Sequence, residues 1–101
     1  MYSVLYQWEI VNGKRDEFVS AWEIITEHYL THHCALGSRL HHVKGDTFAA
    51  YAQWPSKQHR NDAFAASDAP TEAINRMQAC VMSRLDPIEM SIVSDKLKAN
   101  S

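Results

Sequence analysis

The chain of 101 residues is 46% hydrophobic and 22% charged, with 10 Lys and Arg set against 12 Asp and Glu and a formal net charge of −2. Those values fit one domain over residues 1–101 and exclude a disordered segment or a basic nucleic-acid surface, and no apolar run approaches the ~20 residues of a membrane span. Met1 to Ile10 lacks the order of a secretory signal, and Cys34 and Cys80 have neither disulfide-framework nor metal-ligand spacing, so a cytoplasmic protein is expected. A chain this short buries roughly 60 to 70% of its unfolded surface. A second copy would be a natural cover for the rest.

In chain order, Tyr2, Val4, Tyr6, Trp8 and Ile10 alternate with Ser3, Leu5, Gln7 and Glu9, the period of a strand. Asn12-Gly13 breaks it. Phe18, Trp22, Ile25 and Tyr29 then recur at helical spacing, with Asp16 and Glu17 near the positive end of the helix and His32 and His33 near the negative end. The period returns to two over Leu36 to Lys44 and again over Thr47 to Trp54, around a Gly45-Asp46 hairpin turn. An uninterrupted ladder from that turn pairs Lys44 with Thr47, Arg39 with Ala52 and His41 with Ala50. Ser56 caps a helix running to about Ser67. Pro70 suits the first turn of another, which carries Ile74, Met77 and Val81 inward and stops at Asp86-Pro87. Ile88, Met90 and Ile92 mark a last strand, and the polar tail from Lys96 to Ser101 is expected to fray.

The order β-α-β-β-α-β, with the second helix in two pieces, predicts an α+β, ferredoxin-like fold. Four antiparallel strands carry the helices on one face. Leu5 on the second face of the first strand asks for cover that helices on one side do not provide. A second sheet of the same kind supplies it.

Four ordered segments resemble the antibiotic biosynthesis monooxygenase family. They are Tyr6-Gln-Trp-Glu-Ile-Val-Asn-Gly13, Glu17-Phe18 with Trp22, Leu36-Gly-Ser-Arg-Leu-His41, and Tyr51-Ala-Gln-Trp-Pro-Ser56. The resemblance implies a homodimeric α+β barrel, joined through the sheet faces, with a pocket between helices and sheet in each protomer. It implies oxygenation of flat polycyclic phenols with molecular oxygen and no metal or organic cofactor, although other such proteins have no assigned activity. Trp54 falls where oxygenase and haem-degrading members carry a strand-end tryptophan. The haem branch also uses an Asn in the first strand and a His in the second helical region. Leu5 and Gln7, and the absence of histidine from residues 61–76 and 79–101, depart from that pattern.

On the ladder above, Arg39, His41, Ala50, Ala52 and Trp54 share a face, and the two alanines leave a hollow beside the tryptophan. Phe18, Trp22 and Tyr29 would form its opposite wall, and Gln7 could add a hydrogen bond, giving an apolar site with a few polar groups for an aromatic small molecule. Arg39 would hold a phenolate oxygen and His41 would act as base, because triplet oxygen reacts with an electron-rich anion far faster than with a neutral closed-shell molecule. Arg39 and His41 read equally as solvated strand residues, Trp22 as a core anchor and Gln7 as a solvated strand-end residue. A second reading is therefore a non-catalytic dimer that binds a small molecule in the same pocket, and a third is haem binding or degradation. His28 and His32, four apart on the helix, could chelate a cation given a third ligand, while His33 is read as pointing elsewhere. No metal site is expected.

Overall fold

The computed structural model describes residues 1–97; residues 98–101, within the tail read as frayed, lie outside the described residues. β1 (Tyr2–Ile10) is an inner strand. On one side it pairs antiparallel with β3 (Thr47–Trp54), which in turn pairs with the edge strand β2 (Gly37–Lys44). On the other side, β4 (Val81–Arg84) pairs with Trp8 to Ile10, and β5 (Ile88–Ser91) pairs with Tyr2 to Leu5. The result is a five-stranded antiparallel α+β sheet rather than the four strands expected. The expected last strand forms as β5, and the extra strand, β4, arises in a stretch expected to be helix; the two share one edge of β1 and are separated at Leu85-Asp86-Pro87. Pro87 has no N–H to give to a ladder, and the split falls there.

Helices cover only the face that carries Tyr2, Val4, Tyr6, Trp8 and Ile10. α1 (Arg15–His32) carries Asp16 and Glu17 in its first turn, charges of the sign that its dipole favours there, and ends in His32. It buries Phe18 and Ala21 completely. α2 (Lys57–Ala65) begins where Ser56 Oγ accepts the His59 N–H at 3.2 Å, the cap expected from the sequence. α3 (Thr71–Cys80) follows Pro70, which sits one residue before the helix rather than inside its first turn. Two apolar clusters result. Trp8, Ile10, Phe18, Phe48, Ala50 and Cys80 form one, and Tyr2, Val4, Trp54 and Ala63 form the other.

α3 stops at Cys80, six residues before the Asp86 expected to end it. Val81 is already strand, paired with Ile10, and Cys80 O accepts the Val11 N–H at 2.8 Å. The open edge of β1 supplies backbone partners that outweigh continuing the helix through a β-branched residue.

A second departure lies in the hairpin. Gly45, at φ +53°, makes the tight turn, and Lys44 pairs with Thr47 as predicted. Val43 then bulges, so His42 faces Phe48, Leu40 faces Ala50 and Arg39 faces Tyr51. The expected pairs Arg39–Ala52 and His41–Ala50 do not form. Burial explains the shift. The bulge turns Leu40 onto the Trp8–Phe48 cluster and leaves Arg39 and His41 exposed on the opposite face, whereas a regular ladder would bury two polar side chains and expose Leu40. His42 Nε2 donates to Gly45 O at 2.8 Å, clasping the bulge to the turn.

Candidate functional site

Between the helices and the covered sheet face lies a cavity of about 730 Å³. Small residues create it: Ala52 on β3, Gly37 and Ser38 on β2, and Ala35 before them leave unfilled the space that larger side chains would take. Trp22, Tyr29, Trp54 and Phe64 supply aromatic wall. The Tyr29 ring stands edge-on to Trp54 at 5.8 Å and lies 5.3 Å from Phe64, while Trp54 and Phe64 meet at 6.0 Å. The split between β4 and β5 forms part of the rim through Leu85 and Pro87.

Of the residues that the sequence nominated, Gln7, Trp22, Tyr29 and Trp54 line this cavity. The Gln7 side chain alternates toward the other sheet face, but its carbonyl accepts the Leu85 N–H at 3.1 Å at the rim. Phe18 is not wall. It is fully buried in the core, 5.4 Å from Trp8 and 5.7 Å from Phe48. Arg39 and His41 do not reach the cavity either; they stand on the other sheet face and border a separate, shallow groove of about 400 Å³ that runs along the edge strand β2. The Val43 bulge is the cause of that separation.

One polar group of the cavity lining is one that sequence reasoning missed. Arg60, on the inner side of α2, donates from Nε and Nη2 to the Tyr6 hydroxyl at 3.1 and 3.0 Å. Its guanidinium lies 4.6 Å from the centre of the Phe64 ring and 3.5 Å from Glu89, which also accepts from the Tyr2 hydroxyl. Only 12% of the Arg60 side chain is exposed, so its charge acts in a partly desolvated setting. Tyr6 Oη accepts both bonds and keeps its own proton to donate. Two signals pointed this way: an inward phenol at position 6 that needed a partner, and the helical spacing of Arg60, Ala63 and Phe64.

Burial pushes the Tyr29 phenol above its ordinary value of 10.0, and the nearby Tyr6 and Asp68 push it the same way. The neutral phenol is thus the form that the fold favours. As pH rises past 10 the unfolded chain gives up this proton first, so native stability falls from there upward. A near-ultraviolet titration of wild type minus Tyr29→Phe is expected to show a phenol with its midpoint above 10; a midpoint at or below 10 would refute the burial argument.

No protein-family model and no curated protein matches the sequence. Solved structures do match in fold. SnoaB, a cofactor-independent oxygenase from Streptomyces nogalater, superposes with a TM-score of 0.80 at 11% identity, over 96% of this chain and 97% of that one. A putative antibiotic biosynthesis monooxygenase from Bordetella bronchiseptica gives 0.78 at 12% identity, over 92% and 97%. Another from Chloroflexus aurantiacus gives 0.77 at 12%, over 93% and 94%. At these identities the likeness is one of fold: the chain has the ferredoxin-like architecture of the antibiotic biosynthesis monooxygenases, in agreement with the resemblance read from its sequence. Among the described residues no helix is long and apolar enough to cross a membrane.

Proposed function

We propose that the cavity binds a flat, hydroxylated polycyclic aromatic molecule as its phenolate, and that the chain oxygenates it with molecular oxygen and no metal or organic cofactor. The observation that carries this reading is the Arg60–Tyr6 pair set beside Trp22, Tyr29, Trp54 and Phe64 in one cavity. The aromatic walls stack on the ring system, and a volume of about 730 Å³ accommodates several fused rings. The Tyr6 proton and the Arg60 charge favour an anionic oxygen on the ligand over its protonated form. A phenolate so held is electron-rich enough to reduce oxygen. For a ring methylene flanked by phenol rings the balance is CH2 + O2 → C=O + H2O. Four electrons leave the carbon and four reduce the oxygen, so no external reductant enters. SnoaB, described as a cofactor-independent oxygenase, lends the fold-level analogy.

A second reading, a binder without chemistry, draws on the position of His41, the one base nominated from the sequence, outside the cavity. In either case a second copy of the chain covers the open sheet face, where Ile88 is 49% exposed and Leu5, Tyr51 and Met90 are only partly covered.

The test mixes purified protein with a polycyclic phenol that carries a ring methylene, and follows tryptophan fluorescence and dissolved oxygen together. Quenching with one oxygen consumed per carbonyl formed is the expected result. Quenching with oxygen uptake no faster than in buffer would leave the non-catalytic binder, and no quenching at all would remove both readings.

A further inference from the structure

Beside Tyr29, and outside the cavity lining, three side chains from two separated parts of the chain meet. His28 Nε2 lies 3.0 Å from Asp68 Oδ1, and His33 Nε2 lies 2.8 and 3.0 Å from the two oxygens of the same carboxylate. One ligand atom from each of these residues lies within 4.8 Å of the others. We propose that His28, His33 and Asp68 form a binding site for one divalent transition-metal ion of the zinc class.

The backbone accounts for the convergence. His28 is still helical, and His33 is the residue that caps α1, with φ −132° and ψ 21°. Leaving the helix there swings its ring back to within 5.3 Å of His28, where a continued helix would turn it away. The expectation that His33 points elsewhere is thereby corrected. Asp68 arrives from the α2–α3 connection. Cys34 follows His33 at φ +60° and Ser67 precedes Asp68 at φ +51°, and these are the two non-glycine residues with positive φ among those described. Conformations of this kind are strained for residues with a Cβ and persist where the surroundings require them. Here both turn the chain sharply beside one cluster.

The donor set suits the ion. Two neutral imidazoles and a carboxylate with a position left open are a recurrent set for zinc and its neighbours. Tetrahedral ligands about 2.0–2.1 Å from zinc stand roughly 3.3 Å from one another, so the His–Asp contacts of 2.8 to 3.0 Å open slightly while the two imidazole nitrogens, within 4.8 Å of each other, draw onto the ion. Each imidazole moves its proton to Nδ1 and offers the Nε2 lone pair. The fourth position goes to water or to His32, whose ring lies 5.0 Å from that of His28. The side chains of His28 and His33 are only 12% and 16% exposed, whereas that of Asp68 is 49% exposed, so the ion enters from the carboxylate side. An ion here ties the end of α1 to the α2–α3 connection. Tyr29 touches both imidazoles, at 5.5 and 5.8 Å, so the ion also stiffens one aromatic wall of the cavity without touching a ligand inside it.

Calorimetric titration of the full chain with Zn2+, and with Co2+ followed by its visible ligand-field absorption, tests the site without any substrate. The expected result is one equivalent per chain, a higher thermal midpoint with Zn2+, and reversal of both by a chelator. Asp68→Asn and His33→Gln should each weaken binding by more than the roughly 10- to 100-fold that loss of an outer-shell partner costs. His59→Gln, outside the cluster, should not weaken it. Should Asp68→Asn disturb folding, judged by circular dichroism, His33→Gln decides the question. Binding well below one equivalent in wild type, or wild-type affinity in folded His33→Gln, overturns the proposal.

Discussion

Replacing Phe18 with Ala is expected to lower stability by about 3–5 kcal/mol, the usual cost of removing a buried aromatic ring. Phe18 is fully buried and is the ring through which α1 meets both Trp8 of β1 and Phe48 of β3. Its removal leaves a hole between two layers that close only partly around it, and takes away two aromatic contacts. A domain of this size has about 5–15 kcal/mol in total, so the variant should populate the unfolded state measurably in buffer. Urea unfolding reads the effect as a lower midpoint with an unchanged slope. Phe18→Leu keeps most of the volume and should stay folded, and its affinity for an aromatic ligand should equal that of wild type. A loss of affinity in that variant, at unchanged stability, would return Phe18 to the cavity wall and contradict its assignment to the core.

That contrast shows what periodicity reveals and what it does not. The stripe Phe18, Trp22, Ile25, Tyr29 correctly marks the side of α1 that meets the sheet, because burial follows the helical period. It carries no information on where along the stripe the sheet stands close and where it stands off. Bulk on the opposing strand decides that. Phe48 and Trp8 fill the space over Phe18, whereas Ala52, Gly37 and Ser38 leave it open over Trp22 and Tyr29. The strand faces of β1, the Gly45 turn and the Ser56 cap were likewise legible, each being a local preference that the tertiary structure reinforces.

The misreadings came from places where a non-local choice overrode a local one. Nothing in Leu40-His-His-Val-Lys44 announces a bulge, and the bulge is preferred because it exchanges Arg39 and His41 for Leu40 at the core. The end of α3 depends on the unpaired edge of β1, some seventy residues earlier in the chain. His33 and Asp68 meet only because a helix cap and a connection turn toward each other. Arg60 sits in Lys57-Gln-His-Arg-Asn-Asp62, a run that reads as a solvated helix. What it lacked was the knowledge that Tyr6 faces it across the fold.

On the proposed function Arg60 takes the part that the sequence offered to Arg39, and substitution separates the two. Arg60→Met should weaken binding of a phenolate ligand about 10- to 100-fold, since a hydrogen bond to a charged group contributes about 1.5–3 kcal/mol. Its methyl ether, which cannot ionise, should bind wild type and Arg60→Met alike, because methionine keeps the apolar contact with Phe64. Arg60→Lys retains the charge but loses the planar fork that donates twice to Tyr6, so it should fall between them. Arg39→Met should bind as wild type does, its side chain being exposed across the sheet from the cavity. Thermal melts guard against a trivial cause: Glu89, left without its cation, is 43% exposed and is solvated by water, so little stability should be lost. Fluorescence titration of the four proteins with both ligands gives the answer. Equal phenolate affinity in wild type and Arg60→Met would remove the anion site from the cavity. A loss confined to Arg39→Met would move it to the groove along the edge strand β2.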